Sequence, residues 1–129
     1  MAIFLPLDVG KRAAAEGITD RDWCYAISRA DRGQIDAQLG LALIKLRLPR
    51  LGQGRSRGFR AIVAHERGGI AVPLHLYAKN AKANLTKIET EEYRALARYL
   101  MRLSEEEFTR LASQRGWRRI DNELSEADV

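Results

Sequence analysis

Two hydrophobic periods alternate along the chain. Trp23, Ala26, Ile27 and Ala30 recur at i, i+3, i+4 and i+7 behind Thr19-Asp-Arg-Asp22, an N-cap with an acidic residue three positions on, which predicts a helix ending near Gly33. Before it, an Ala-rich stretch from Val9 to Glu16 stops at Gly17 and predicts a shorter helix paired with the second. The period then drops to two. In Leu43-Ile-Lys-Leu-Arg-Leu48, Ile44, Leu46 and Leu48 alternate with Lys45 and Arg47, the pattern of a half-buried strand with a cationic outer face. Phe59 to Glu66 predicts a second strand, with Phe59, Ala61 and Val63 on one face and Arg60, Ile62 and Ala64 on the other. Gly68-Gly69 supplies a tight turn, and Ile70 to Ala78 returns as a third strand with Val72, Leu74 and Leu76 in register. Pro73 cannot donate to a ladder, so it requires an edge or a bulge. Helical spacing resumes with Thr90 as a cap and Tyr93, Leu96, Ala97, Leu100 and Leu103 as the apolar stripe; Ser104-Glu-Glu-Glu107 is a capping box opening a last helix that runs to Gly116. The expected fold is α+β: an N-terminal helical hairpin, a small twisted antiparallel sheet of three to four strands, and C-terminal helices. One domain over residues 1–129 is expected, with residues 118–129 a frayed polar tail.

Composition narrows the class. The 129 residues are 46% hydrophobic and 30% charged, which suits one folded domain rather than a disordered chain. No apolar run approaches the roughly 18 residues of a membrane helix, and Pro6 and Asp8 interrupt the opening apolar stretch too early for a secretory signal, so a soluble, cytoplasmic protein is expected. The single cysteine, Cys24, excludes an intramolecular disulfide and a thiolate zinc cluster, and no metal or other cofactor is expected. The net charge of +5 is unevenly placed: residues 45–82 hold nine basic groups and only Glu66, while the flanking segments are mildly acidic. Such a patch suits a polyanion bound through phosphate contacts.

The run from Leu43 to Ala64, with its glycine-arginine loop Pro49-Arg-Leu-Gly-Gln-Gly-Arg-Ser-Arg-Gly58 and its Gly58-Phe59-Arg60 strand start, is followed about ten residues later by Tyr77-Ala-Lys-Asn80. This ordered combination resembles the RelE/ParE superfamily of bacterial toxins, closest to the RelE/HigB-like branch of type II toxin-antitoxin systems. Weaker similarity extends upstream through Gly33-Gln-Ile-Asp36 and downstream to Leu103-Ser-Glu-Glu-Glu107. The resemblance implies a ribosome-dependent messenger RNA endoribonuclease that enters the A site, inhibits translation and is blocked by a cognate antitoxin. ParE-type members share the fold and poison DNA gyrase, and a degenerate RNA-binding member is a further alternative, so fold alone does not choose.

Metal-free RNA cleavage needs a group to take the 2′-OH proton, a group to neutralise the crowded phosphate and a group to protonate the leaving 5′-oxygen. By resemblance, Lys45 and Arg47 match the basic strand, Arg60 the arginine opening the next strand, and Lys79 and Asn80 the Lys-Asn ending. Arg60 is the foremost candidate, since a guanidinium on a rigid strand can hold two phosphate oxygens at once. Lys45 is a candidate general base or charge stabiliser, because neighbouring cations disfavour its charged form; the plain alternative makes Lys45 and Arg47 the wet face of an amphipathic strand. Arg50, Arg55 and Arg57 in the loop, with Asn80 and Lys82, suit gripping RNA backbone rather than chemistry. His75 and His65 carry the one side chain whose unperturbed pKa lies near neutrality, so either could transfer protons, and His75 shares a strand face with Tyr77, which offers a ring to stack or a hydroxyl. The family's aromatic or histidine after the Lys-Asn pair is missing here, where Ala81-Lys-Ala-Asn-Leu-Thr86 stands instead. That departure moves the search for a general acid to Tyr77, His75 or the tail. Cys24 has no obvious base, and Arg94, Arg98 and Arg102 form either a solvated face or a contact with ribosomal RNA or the antitoxin.

Overall fold

A computed structural model describes residues 2–48, 58–79 and 85–121. The elements are β1 (Ala2–Leu5), α1 (Leu7–Ala15), α2 (Asp20–Asp31), β2 (Ala37–Gln38), β3 (Leu43–Leu48), β4 (Phe59–His65), β5 (Ile70–Ala78), α3 (Lys87–Arg102), α4 (Glu105–Arg115) and β6 (Arg118–Asp121). The class is α+β, but the sheet is larger than expected and mixed. Its six strands run in the order β2-β3-β4-β5-β1-β6, with β1 parallel to β5 and every other pair antiparallel.

Three strands correct the sequence reading. The chain opens on β1 rather than on a helix. Ile3 and Leu5 face one core and Phe4 the other, so β1 is apolar on both sides and shows no alternation to mark it as a strand. β2 is only two residues long. β6 forms from residues expected to fray: Ile120 is its one buried side chain, and the strand pairs along β1 from Ala2↔Asp121 to Leu5↔Arg118. Arg118 donates through Nη1 and Nη2 to the two Asp20 oxygens at 2.7 and 2.9 Å, which ties this edge to the start of α2. Those hydrogen bonds, helped by the charge of Arg118, hold the Asp20 carboxyl below its ordinary range. The two N-terminal helices do not form a free-standing hairpin either, since α1 packs chiefly on β5 and α2 on β3 and β6.

Helices cover both faces of the sheet. On one side α1 and α2 enclose Ile3, Leu5, Trp23, Ile27, Leu46 and Val63; on the other α3 and α4 enclose Phe4, Leu43, Ile62, Val72, Leu100 and Phe108. The capping boxes are reciprocal at Thr19/Asp22 and Ser104/Glu107. Such a cap stabilises its helix by about 1 kcal/mol. α3 starts a turn earlier than the Thr90 reading, because Thr86 and Glu89 form a third box and Thr90 merely donates its hydroxyl to the Thr86 carbonyl. Gly17, Gly33 and Gly116 each close a helix with positive φ, where a Cβ would strain the turn.

Pro73 meets the expected bulge. Ile62 pairs with His75 and Val63 with Pro73, leaving Leu74 as the extra residue of β5. The bulge reverses the alternation, so Val72 and Leu76 do not share a face as the simple period had them: Val72 faces the α3/α4 core and Leu76 the α1/α2 core.

Candidate functional site

The registers of β3, β4 and β5 set three cross-strand rows on the side of the sheet that faces α3 and α4. Leu43, Ala64 and Val72 form the first row, Lys45, Ile62 and His75 the second, and Arg47, Arg60 and Tyr77 the third. From the first row to the third, the face thus passes from packed core to the cations Lys45, Arg47 and Arg60. The bulge at Leu74 is what brings β5 into this arrangement. With Val72 on the α3/α4 face, unbroken alternation would send His75 and Tyr77 to the opposite side, away from Lys45 and Arg60.

Among the described residues one carboxylate, Asp36, serves both Lys45 and Arg60. Asp36 lies just before β2, its N–H bonded to the Lys45 carbonyl at 2.8 Å, and its Oδ2 is 3.3 Å from Arg60 Nε and 4.0 Å from Lys45 Nζ. Arg60 is 8% exposed, and its Nη1 also donates to the Phe59 carbonyl at 3.4 Å. A charge so deeply placed needs a partner, and Asp36 is that partner. Lys45 therefore does not stand among cations alone, as the sequence reading had it. Arg47 is exposed, and no carboxylate pairs with it among the described residues. A cavity of 240 Å³ lies over the second and third rows, lined by Leu39, Lys45, Ile62, Tyr77, Leu85 and Thr90. A second cavity of 240 Å³ opens round the edge of β3 between Arg29, Gln34, Asp36 and Arg47. Cations on a rigid strand pair, a hydroxyl-bearing ring in register with them and open space alongside can seat a phosphodiester and stabilise charge that develops on it.

Residues 1–120 match the RelE family, described as the RelE toxin of the RelE/RelB toxin-antitoxin system. The chain belongs to the RelE family. It is therefore a toxin of a toxin-antitoxin system, a family whose members are generally endoribonucleases, and an antitoxin partner is implied. No curated protein and no solved structure matches it. Among the described residues no helix is long and apolar enough to cross a membrane.

Against this RelE chain the sequence-read residues sort clearly. Arg60, Lys45, Arg47 and Tyr77 come together on one face. Tyr77 is buried, directly across from Arg60, while His75 stacks on it at 5.5 Å between ring centroids and on Tyr93 of α3 at 5.9 Å. Lys79 follows β5 as an exposed side chain, its N–H held by the Gly58 carbonyl at 3.1 Å, beside the start of β4. Arg50, Arg55, Arg57, Asn80 and Lys82 lie outside the described residues. His65 is at the far end of β4 from Arg60, where its Nε2 is 2.8 Å from Asp31 Oδ1; the same oxygen accepts the Gly68 N–H at 3.0 Å and pins α2 to the hairpin turn. Arg94 does not belong to a free stripe: its Nε donates to the Leu39 carbonyl and its Nη1 pairs with Glu91, anchoring α3 beside β2, while Arg98 and Arg102 stay exposed. Cys24 is buried. Asp36 is the residue that sequence reasoning did not place in the site. A signal existed, because it is the only acidic residue between Gly33 and His65.

Proposed function

We propose that this RelE-family chain acts, as one toxin domain, by cutting messenger RNA on the ribosome without a metal, and thereby stops translation. The observation that carries the reading is the row of Arg47, Arg60 and Tyr77 with Lys45 beside it, where, among the described residues, Asp36 pairs with Arg60 and Lys45 and no carboxylate pairs with Arg47. In the reaction the 2′-oxygen bonds to phosphorus as its proton passes to water, the bond from phosphorus to the 5′-oxygen breaks, and that oxygen gains a proton. The products are a 2′,3′-cyclic phosphate and a 5′-hydroxyl. Arg60 is the principal stabiliser of the crowded phosphate, because strand placement and burial fix its guanidinium before substrate arrives. Lys45 adds a second charge at the same place, and Arg47, exposed at the sheet edge, steers the backbone in. Tyr77 is the hydroxyl closest in register to Arg60 and serves as proton donor to the leaving oxygen, with His75 stacked on its ring to hold it. Lys79, Asn80, Lys82 and the loop arginines Arg50, Arg55 and Arg57 extend the phosphate-gripping surface. The HigB-like branch and a cytoplasmic location belong to the same reading.

The test is primer extension on a message after brief induction, with gyrase supercoiling followed in parallel. Cuts within codons that disappear in Arg60→Ala support the reading. Intact message with stalled gyrase, or intact message with normal gyrase, overturns it.

A further inference from the structure

Asp36 is an awkward residue to find in an RNA-cleaving site. A carboxylate among phosphate-binding cations repels the substrate, and at close range in water one such charge weakens binding by about fivefold. Its geometry suggests a compensating role. The backbone of Asp36 is clamped to β3 through the 2.8 Å bond to Lys45, so its side chain is aimed from a fixed point, and it meets Arg60 at Nε, at 3.3 Å. The ion pair at Nε and the bond from Nη1 to the Phe59 carbonyl restrain the guanidinium from two sides, and Nη2 is left to meet a phosphate oxygen. The same Oδ2 stands 4.0 Å from Lys45 Nζ, and Asp36 lines the cavity it shares with Arg47. Two of the site's cations are thus paired to Asp36, and the third, Arg47, lines a cavity with it.

We propose that Asp36 is the positioning residue of the cleavage site, sacrificing RNA affinity in order to hold Arg60 and Lys45 in the geometry that the transition state requires. The inference rests on the RNA-cleavage reading above. It carries a signature that an ordinary ion pair lacks, since binding and turnover must move in opposite directions. A pair that merely supports the fold would lower both or neither, and an anion that merely blocks the site would raise both when removed.

The experiment compares the full chain with Asp36→Asn and Asp36→Glu on message-programmed ribosomes. Single-turnover cleavage is measured on an ordinary message and binding on a message methylated at the scissile 2′-oxygen, with thermal unfolding recorded for each protein. Asp36→Asn should bind about fivefold more tightly and cut about tenfold more slowly or worse. Asp36→Glu keeps the charge but moves it, so it should bind as the native protein does and cut at an intermediate rate. Asp36→Asn cutting at the native rate or faster, or losing binding and cleavage together with a native melting transition, overturns the proposal. Should Asp36→Asn not fold, Asp36→Glu decides: unchanged cleavage, or loss of binding along with cleavage, overturns it. If the native protein itself does not cut, the RNA-cleavage reading falls and this proposal falls with it, a result distinct from native cleavage that Asp36→Asn leaves untouched.

Discussion

The two sides of the sheet treat arginine differently. On the β6 side each cation has a carboxylate of its own: Arg118 holds Asp20 by two hydrogen bonds at 2.7 and 2.9 Å, and Arg119 holds Asp121 at 2.8 Å while lying over the Phe4 ring. On the β3 side, among the described residues, Lys45 and Arg60 share Asp36, at 4.0 and 3.3 Å, and Arg47 has no carboxylate. The first arrangement is electrically closed and serves to seal an edge strand. The second is left open, and an open cluster of charge on a rigid surface is what an incoming anion can complete. The positive excess of residues 45–82 thus acquires an address, because it is on the β3 side that positive groups outnumber their partners.

The sharpest way to break this contrast is to remove its centre. Arg60→Ala should lower cleavage about 100-fold to 1,000-fold, the range for deleting one preorganised stabiliser of a developing charge, while the protein still melts cooperatively. A variant that keeps its cutting rate would make the β3 side as structural as the β6 side. The next largest effect should come from closing the open side artificially. Arg47→Glu gives the third row a carboxylate of its own, and the logarithmic slope of RNA affinity against salt should fall by about two phosphate contacts. Arg47→Ala should reduce that slope by about one and weaken binding evenly across message sequences, since an exposed arginine at a sheet edge touches backbone rather than bases. Titrations of a 2′-methylated message at several salt concentrations measure both. Equal slopes for all three proteins would remove Arg47 from the RNA path.

Much of this contrast was readable from the chain, and the unread part has a common cause. Lys45 and Arg47 were assignable to a strand face because β3 alternates, and Arg60 because it is the one charged residue in the largely apolar β4. Their joint face with Tyr77 was not assignable, because it depends on the side to which the Leu74 bulge turns the end of β5, and a proline marks the need for a bulge without fixing its register. β1 escaped notice because a strand buried on both faces has no polar positions to set a period, and β6 because an edge strand with one buried residue resembles a tail. Asp36 escaped for a third reason: its partners Lys45 and Arg60 are nine and twenty-four positions away, and only the pairing of β2, β3 and β4 brings them to it. Local periodicity reports local structure, whereas the site is made by register.

The smallest expected effect belongs to the closed side and tests whether it is structural alone. The hydrogen bonds from Arg118 hold the Asp20 carboxyl below its ordinary value of about 3.9, so the folded state binds that proton more weakly than the unfolded chain does. The stabilisation from the pair is fully present above that ordinary value and is lost as pH falls through the lowered folded value. Both side chains are more than half exposed, at 56% and 54%, so solvent screening limits the contribution to under about 1 kcal/mol. Asp20→Asn should therefore melt slightly below the native protein at neutral pH, and the two melting curves should converge in acid, below about pH 4. Its cleavage rate and the salt slope of its RNA binding should match the native values, because the charge removed is already balanced and stands at the far edge of the sheet from Arg60. A change in that salt slope would show that RNA reads the β6 side as well, and the distinction between a sealed edge and an open one would fail.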